Sequence, residues 1–203
     1  AQDIADIDYE HLAFRGVGVE LGYLWPDRLE PTESYGVRFD FGYAGPGLRV
    51  VPSATYWTSP LESRDIVELA DRVAELVSEQ TGGPPPALDL GTIDYTDVAL
   101  GVDIHVVWAL PLDLLTFGGF GVAAHVIDGK GEAIEGTFVE DLIDSVEPGF
   151  NLHLGGEYPI TNTLRFYTSG RYEVMPDLRY FQVRSGFQFM FGPNAPGEGR
   201  GND

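Results

Sequence analysis

Across residues 35–43 apolar and polar positions alternate strictly. Tyr35, Val37, Phe39, Phe41 and Tyr43 fall on one side, and Gly36, Arg38, Asp40 and Gly42 on the other. A helix would scatter these residues around its axis, whereas a strand separates them into two faces. The same two-residue period recurs in eight segments. Residues 14–25 set Val17, Val19, Leu21, Tyr23 and Trp25 against Gly16, Gly18, Glu20 and Gly22; 35–43 follow; and 48–57 set Leu48, Val50, Ala54 and Tyr56 against Arg49, Ser53 and Thr55. Residues 96–110 set Val98, Leu100, Val102, Ile104, Val106 and Trp108 against Asp97, Gly101, Asp103 and His105. In 117–127 glycine and alanine blur the faces, with Phe120, Val122, Ala124 and Val126 as the apolar set and His125 opposite. Residues 150–158, 164–174 and 179–191 complete the series, with His153 and Glu157, then Arg165, Tyr167, Arg171 and Glu173, then Arg184, Gly186 and Gln188 on the polar side.

The connections alternate in length. Ala44-Gly45-Pro46-Gly47 is a tight turn, and 111–116 and 160–163 are also short. The connections 26–34, 58–95 and 128–149 are longer, while 175–178 is short although it falls among the long ones. Ser59-Pro60-Leu61-Glu62 reads as a capping box with proline at the first helical position. Ile66, Leu69, Ala70, Val73 and Val77 then repeat at helical spacing, so 61–77 is predicted as a helix ending before Gly82-Gly83-Pro84-Pro85-Pro86. A second short helix is predicted over 138–146, with Phe138, Leu142, Ile143 and Val146 on one side. The predicted fold is therefore all-β: a closed antiparallel eight-stranded up-and-down barrel with two short helices in long loops. The barrel spans 13–191, between a flexible acidic segment 1–12 and a disordered tail 192–203.

A soluble sandwich and a membrane barrel both alternate, so the polar face must choose between them. Glu20, Arg38, Asp40, Arg49, Asp97, Asp103, His105, His153, Glu157, Arg165, Arg171, Glu173 and Arg184 share it. Charges of both signs, interspersed with glycine, suit pairing across a narrow lumen, where an unpaired charge costs several kcal/mol. The opposite face ends in aromatics: Tyr23, Trp25, Tyr35, Tyr43, Tyr56, Trp57, Trp108 and Tyr158. Tyrosine and tryptophan collect at the two interfaces of a membrane barrel.

Composition narrows the classes. The 203 residues suit one domain, and the absence of cysteine removes disulfides and thiolate chemistry. With 32 acidic against 12 basic residues, the net charge of −20 repels nucleic acid. No apolar run reaches the roughly 20 residues of a membrane-spanning helix. The start at Ala1-Gln2-Asp3 suits a secreted chain whose signal was removed, and also a chain trimmed artificially at that point, with the secreted alternative preferred.

These segments resemble the small eight-stranded outer-membrane barrels of the OmpA and OmpX type, over residues 14–191. The most specific piece is Arg184-Ser185-Gly186-Phe187-Gln188-Phe189-Met190-Phe191. It is similar to the terminal signal read by the barrel-assembly machinery, with Gly186, Phe189 and Phe191 at its key positions. The resemblance implies a bacterial outer-membrane location with outer-membrane lipids as neighbours. The short tail does not match the peptidoglycan-binding domain of full-length OmpA-like proteins.

No HExxH, nucleophile elbow or P-loop occurs. The histidines His11, His105, His125 and His153 are the first candidates for chemistry, and His105 and His153 near Asp103 and Glu157 raise a metal or acid–base cluster. The weightier reading is an interior hydrogen-bonded network. Lipid A deacylases on this fold carry a serine two residues from the histidine, and no histidine here has that neighbour. No catalytic residue, metal or cofactor is therefore assigned. Loops 58–95 and 128–149 are strongly acidic, which favours a solvated surface over cation binding, with a protein or surface polymer as the partner they would contact. Three functions stand in order: a structural or surface-interaction barrel, a narrow conduit for a small or hydrophobic solute, and a soluble ligand-binding barrel.

Overall fold

The structure, a computed structural model, describes residues 12–112, 114–131, 133–136 and 145–191. Eight strands run β1 (Leu12–Pro26), β2 (Thr32–Gly45), β3 (Leu48–Pro60), β4 (Asp94–Ala109), β5 (Leu115–Lys130), β6 (Ser145–Pro159), β7 (Leu164–Val174) and β8 (Arg179–Met190). One helix, α1 (Ser63–Thr81), lies between β3 and β4. Every strand pairs antiparallel with its sequence neighbour, and β8 returns to β1, so the sheet closes and leaves no edge. Closure of eight strands leaves a lumen that side chains fill.

Two faces of one strand meet two environments, and β7 shows how cleanly. Arg165, Tyr167, Ser169, Arg171 and Glu173 are buried, while Thr168 and Tyr172 are exposed. The alternation holds around the barrel except where the ladder slips. Between Arg38 and Tyr43 the β2–β3 register shifts, because β2 carries one more residue than β3. Gly42 takes φ +71, and its N–H donates to the Asp40 carboxylate at 2.8 Å. Such a bulge suits a glycine and reverses the side-chain phase beyond it. Tyr43, expected on the outer face, is consequently buried inside. Pro52 stands opposite this interruption, where β3 has no β2 partner for the N–H that proline lacks.

The structure changes the ends of several elements. Strands extend into the long connections: Thr58, Ser59 and Pro60 pair with Thr96, Tyr95 and Asp94, and Pro148 pairs with Ala124. The expected capping box is therefore absent. Ser59 and Pro60 belong to β3, and the Ser59 hydroxyl donates to the Glu30 carbonyl at 2.6 Å. Glu62 precedes the helix without a side-chain cap, and Gly82 ends it in the left-handed conformation at φ +67. Of the second predicted helix, residues 138–144 lie outside the described residues, and Val146 belongs to β6. The predicted terminal segments fall outside them too, at 1–11 and 192–203, while Leu12 opens β1.

Candidate functional site

Every residue of the expected polar face has a buried side chain: Glu20, Arg38, Asp40, Arg49, Asp97, Asp103, His105, His153, Glu157, Arg165, Arg171, Glu173 and Arg184. They form two connected groups. Near the short-turn end Glu157 gathers three arginines. Arg49 binds it through both terminal nitrogens at 2.9 and 2.6 Å, Arg38 at 2.6 Å, and Arg165 at 3.6 Å. Asp40 balances this excess of positive charge, 3.6 Å from Arg49, and Gln188 bridges Arg38 and Asp40 at 2.7 and 3.1 Å.

The second group runs toward the long-loop end. Arg184 donates to Glu20 at 2.7 Å, and Arg171 reaches Asp103 at 3.0 Å and Glu173 at 2.7 Å. His125 lies between Asp97 at 2.8 Å and Glu173 at 3.7 Å. Tyr167 joins the two groups, its hydroxyl donating to Glu20 at 3.0 Å while Arg38 stacks 3.3 Å from its ring centre. Charges taken out of water at this depth require good pairing geometry, and short contacts among opposite charges supply it.

His105, His125 and His153 belong to this network. A guanidinium only donates, so His105 Nδ1 accepts from Arg49 at 3.0 Å while the ring stacks 4.3 Å from Phe117. Asn151 donates its amide to Asp103 at 3.1 Å, which leaves its carbonyl to accept from His153 Nδ1 at 2.8 Å. Among the described residues no group of three or more histidine and acidic side chains is arranged to hold a metal ion. His11 lies outside the described residues.

Sequence parity puts Asn151, Tyr167, Gln188 and His125 on the polar side without assigning them a part in the network. Arg15 escapes the sequence reading because the register slip between Leu12 and Gly16 hides its phase; it is buried, 5.2 Å from the Tyr43 ring centre. Gln182 is legible, being two residues from Arg184; it is buried and donates to Ser34 at 2.6 Å.

Apolar layers close the lumen above and below. At the long-loop end Leu24, Leu29, Trp57, Ile127, Met175, Leu178 and Tyr180 form a buried cluster. Trp57, expected among the outer aromatics, shares the inward phase of Arg49 and Ser53 and is fully buried, with its ring stacked 5.7 Å from Tyr95. At the other end Tyr43, Val107, Leu115 and Phe117 pack together. Helix α1 lies on the long connections, where Val73, Leu90, Ile93 and Ile134 cluster and Leu61 touches both this group and the mouth layer. Gly131 adjoins Ile93 and Ile134, so the connection after β5 contributes to the same cover.

Outside, large apolar side chains are exposed around the barrel, among them Val19, Leu21, Leu100, Val122, Leu152, Leu154 and Phe187. Aromatic groups bound this belt. At the short-turn end Phe14 meets Phe41 and Phe191 at 5.7 and 4.9 Å, with Trp108 and Tyr158 at the same ends of their strands. At the other end Tyr23 meets Trp25, which stacks 5.9 Å from Phe181. Eleven steps separate Phe14 from Trp25. At roughly 3.3 Å each and a tilt of about 40° they rise about 28 Å, close to the apolar height of known membrane barrels.

No protein-family model matches the chain. No curated protein matches it. Solved structures do. The crystal structure of Neisserial surface protein A aligns with a TM-score of 0.61 and 11% identity, covering 90% of this chain and 100% of that one. A major outer membrane protein from Thermus thermophilus aligns with a TM-score of 0.54 and 14% identity, covering 87% and 99%. The chain has the fold of the small eight-stranded outer-membrane β-barrels.

Proposed function

We propose that this chain spans a bacterial outer membrane as a structural or surface-interaction protein, without catalysis, and meets its partner through its long connections. The observation that carries this reading is the reversal of the usual arrangement: apolar side chains cover the outside and paired charges fill the inside. Water would penalise such a belt, whereas hydrocarbon accommodates it and requires a closed sheet. The same observation counts against a soluble ligand-binding barrel, which would keep its apolar face inward. In this reading the closing strand carries the assembly signal, with Phe189 and Phe191 exposed on the outer face and Gly186 buried opposite them.

The conduit reading is disfavoured by the filling of the lumen. A solute would have to part the arginines around Glu157 and pass apolar layers at both ends. The test is extraction followed by planar-bilayer recording. The protein is expected to leave membranes only with detergent and to give no discrete openings; stepwise conductance would restore the conduit, and extraction by salt alone would overturn the membrane assignment.

Partner contact is assigned to loops 58–95 and 128–149, where α1 exposes Glu68, Asp71, Glu75 and Glu79. Deleting residues 63–81 should leave the barrel folded, because the helix packs in a cluster apart from the lumen. The unfolding midpoint in detergent should move by less than the equivalent of about 1 kcal/mol. Loss of the folded barrel would show that α1 belongs to the core, and partner recognition would then have to be sought elsewhere.

A further inference from the structure

The wall made by β2, β1 and β8 carries a groove on its outer side near the long-loop end. It is lined by Tyr23, Trp25, Glu33, Tyr35, Val183 and Ser185. The register explains its shape. Tyr35, Leu21 and Ser185 form one row across the three strands, and Glu33, Tyr23 and Val183 form the next. The small Ser185 lowers the floor, and its hydroxyl is satisfied within the wall, donating to Thr168 Oγ1 at 2.9 Å. Trp25 meets Tyr23 edge-on at 5.0 Å and stacks on Phe181, so the rings are held in place.

Among the described residues, Glu33 is the one acidic side chain lining this groove. The Tyr35 hydroxyl donates to its Oε2 at 3.0 Å, and no arginine, lysine or histidine among the described residues pairs with it. A lone carboxylate on an otherwise apolar wall repels anionic head groups. Together with tyrosine and tryptophan rings it favours a cation, since aromatic faces and a carboxylate both attract positive charge. The groove opens sideways onto the apolar belt, continuous with Val19, Leu21 and Phe187, so the cation arrives attached to a hydrocarbon chain.

We propose that this groove binds a membrane lipid whose head group carries an ammonium, the ammonium resting against Glu33 and the rings and the acyl chain lying over Leu21 and Val183. The proposal rests on the membrane reading above. Trp25 reports on the site directly, because Trp57 is enclosed in the lumen and Trp108 can be removed as Trp108→Phe. The full chain carrying that change is reconstituted in phosphatidylglycerol vesicles. Part of the lipid is then replaced by brominated phosphatidylethanolamine or by brominated phosphatidylglycerol. Quenching of Trp25 should favour the ethanolamine lipid by about three- to tenfold, and Glu33→Gln should bring the ratio near one. Equal quenching by the two lipids, or a preference untouched by Glu33→Gln, overturns the site while leaving the membrane reading intact. No quenching by either lipid overturns both.

Discussion

Replacing Glu157 with alanine is expected to destabilise the barrel by about 3–5 kcal/mol, the cost of breaking a buried ion pair by removing one partner. The position is exceptional because three guanidinium groups converge on one carboxylate. Arg49 and Arg38 lie within 2.9 Å of it, and Arg165 stands at 3.6 Å. Removal leaves these arginines buried with Asp40 as the nearest remaining carboxylate to Arg49, at 3.6 Å. Urea unfolding from lipid vesicles, followed by the shift of the folded band on unheated gels, measures the effect. Glu157→Gln should fall between the two, since an amide still accepts a hydrogen bond but no longer balances charge. A loss below about 1 kcal/mol for Glu157→Ala would mean that the lumen is wet enough to solvate free arginines, and the sealed-interior account would fail.

This network also marks how far sequence reaches. Most of its members follow from period-two parity, because one face of each strand meets the lumen and a residue changes face only at a bulge or slip. Its pairing does not follow. Arg49 and Glu157 are 108 positions apart, and their contact depends on the stagger of strands around a closed barrel, which alternation does not encode. The misreadings have local causes. Tyr43 lies beyond a bulge announced only by Gly42, and Arg15 lies at a slip that leaves no signal in composition. Trp57 keeps its parity with Arg49 and is misplaced by the sequence reading because tryptophan near a strand end suggests an interface; here it caps the charged interior. Ser59-Pro60 imitates a helix start, yet ladder pairing to Tyr95 and Asp94 outweighs the local preference. For α1 the helical spacing is legible, since Ile66, Leu69, Ala70 and Val73 do form its packed side.

Placing alanine at Gly186 is expected to prevent the barrel from closing. The residue faces Glu20 across the seam where the last strand meets the first. A Cβ there would collide with the Val19 carbonyl oxygen and stand 2.8 Å from the Tyr167 ring. A ring can rotate away, but a carbonyl held in the β1–β8 ladder cannot retreat without parting the strands. The expected loss therefore meets or exceeds the roughly 1–3 kcal/mol of an overpacked core, with valine worse than alanine. Trimming the tyrosine in Gly186→Ala/Tyr167→Ala should not restore folding, because the nearer obstacle is backbone and Tyr167 also holds Glu20 and Arg38. Gly22 provides the contrast. Its nearest obstacle is the Ser34 hydroxyl at 2.5 Å, a side-chain atom, so Gly22→Ala should be relieved by Ser34→Gly. The readout is the heat-modifiable folded band after refolding into detergent. Full folding of Gly186→Ala would show that the seam tolerates spreading, and would leave Gly186 with the role proposed for it in assembly rather than one in closure.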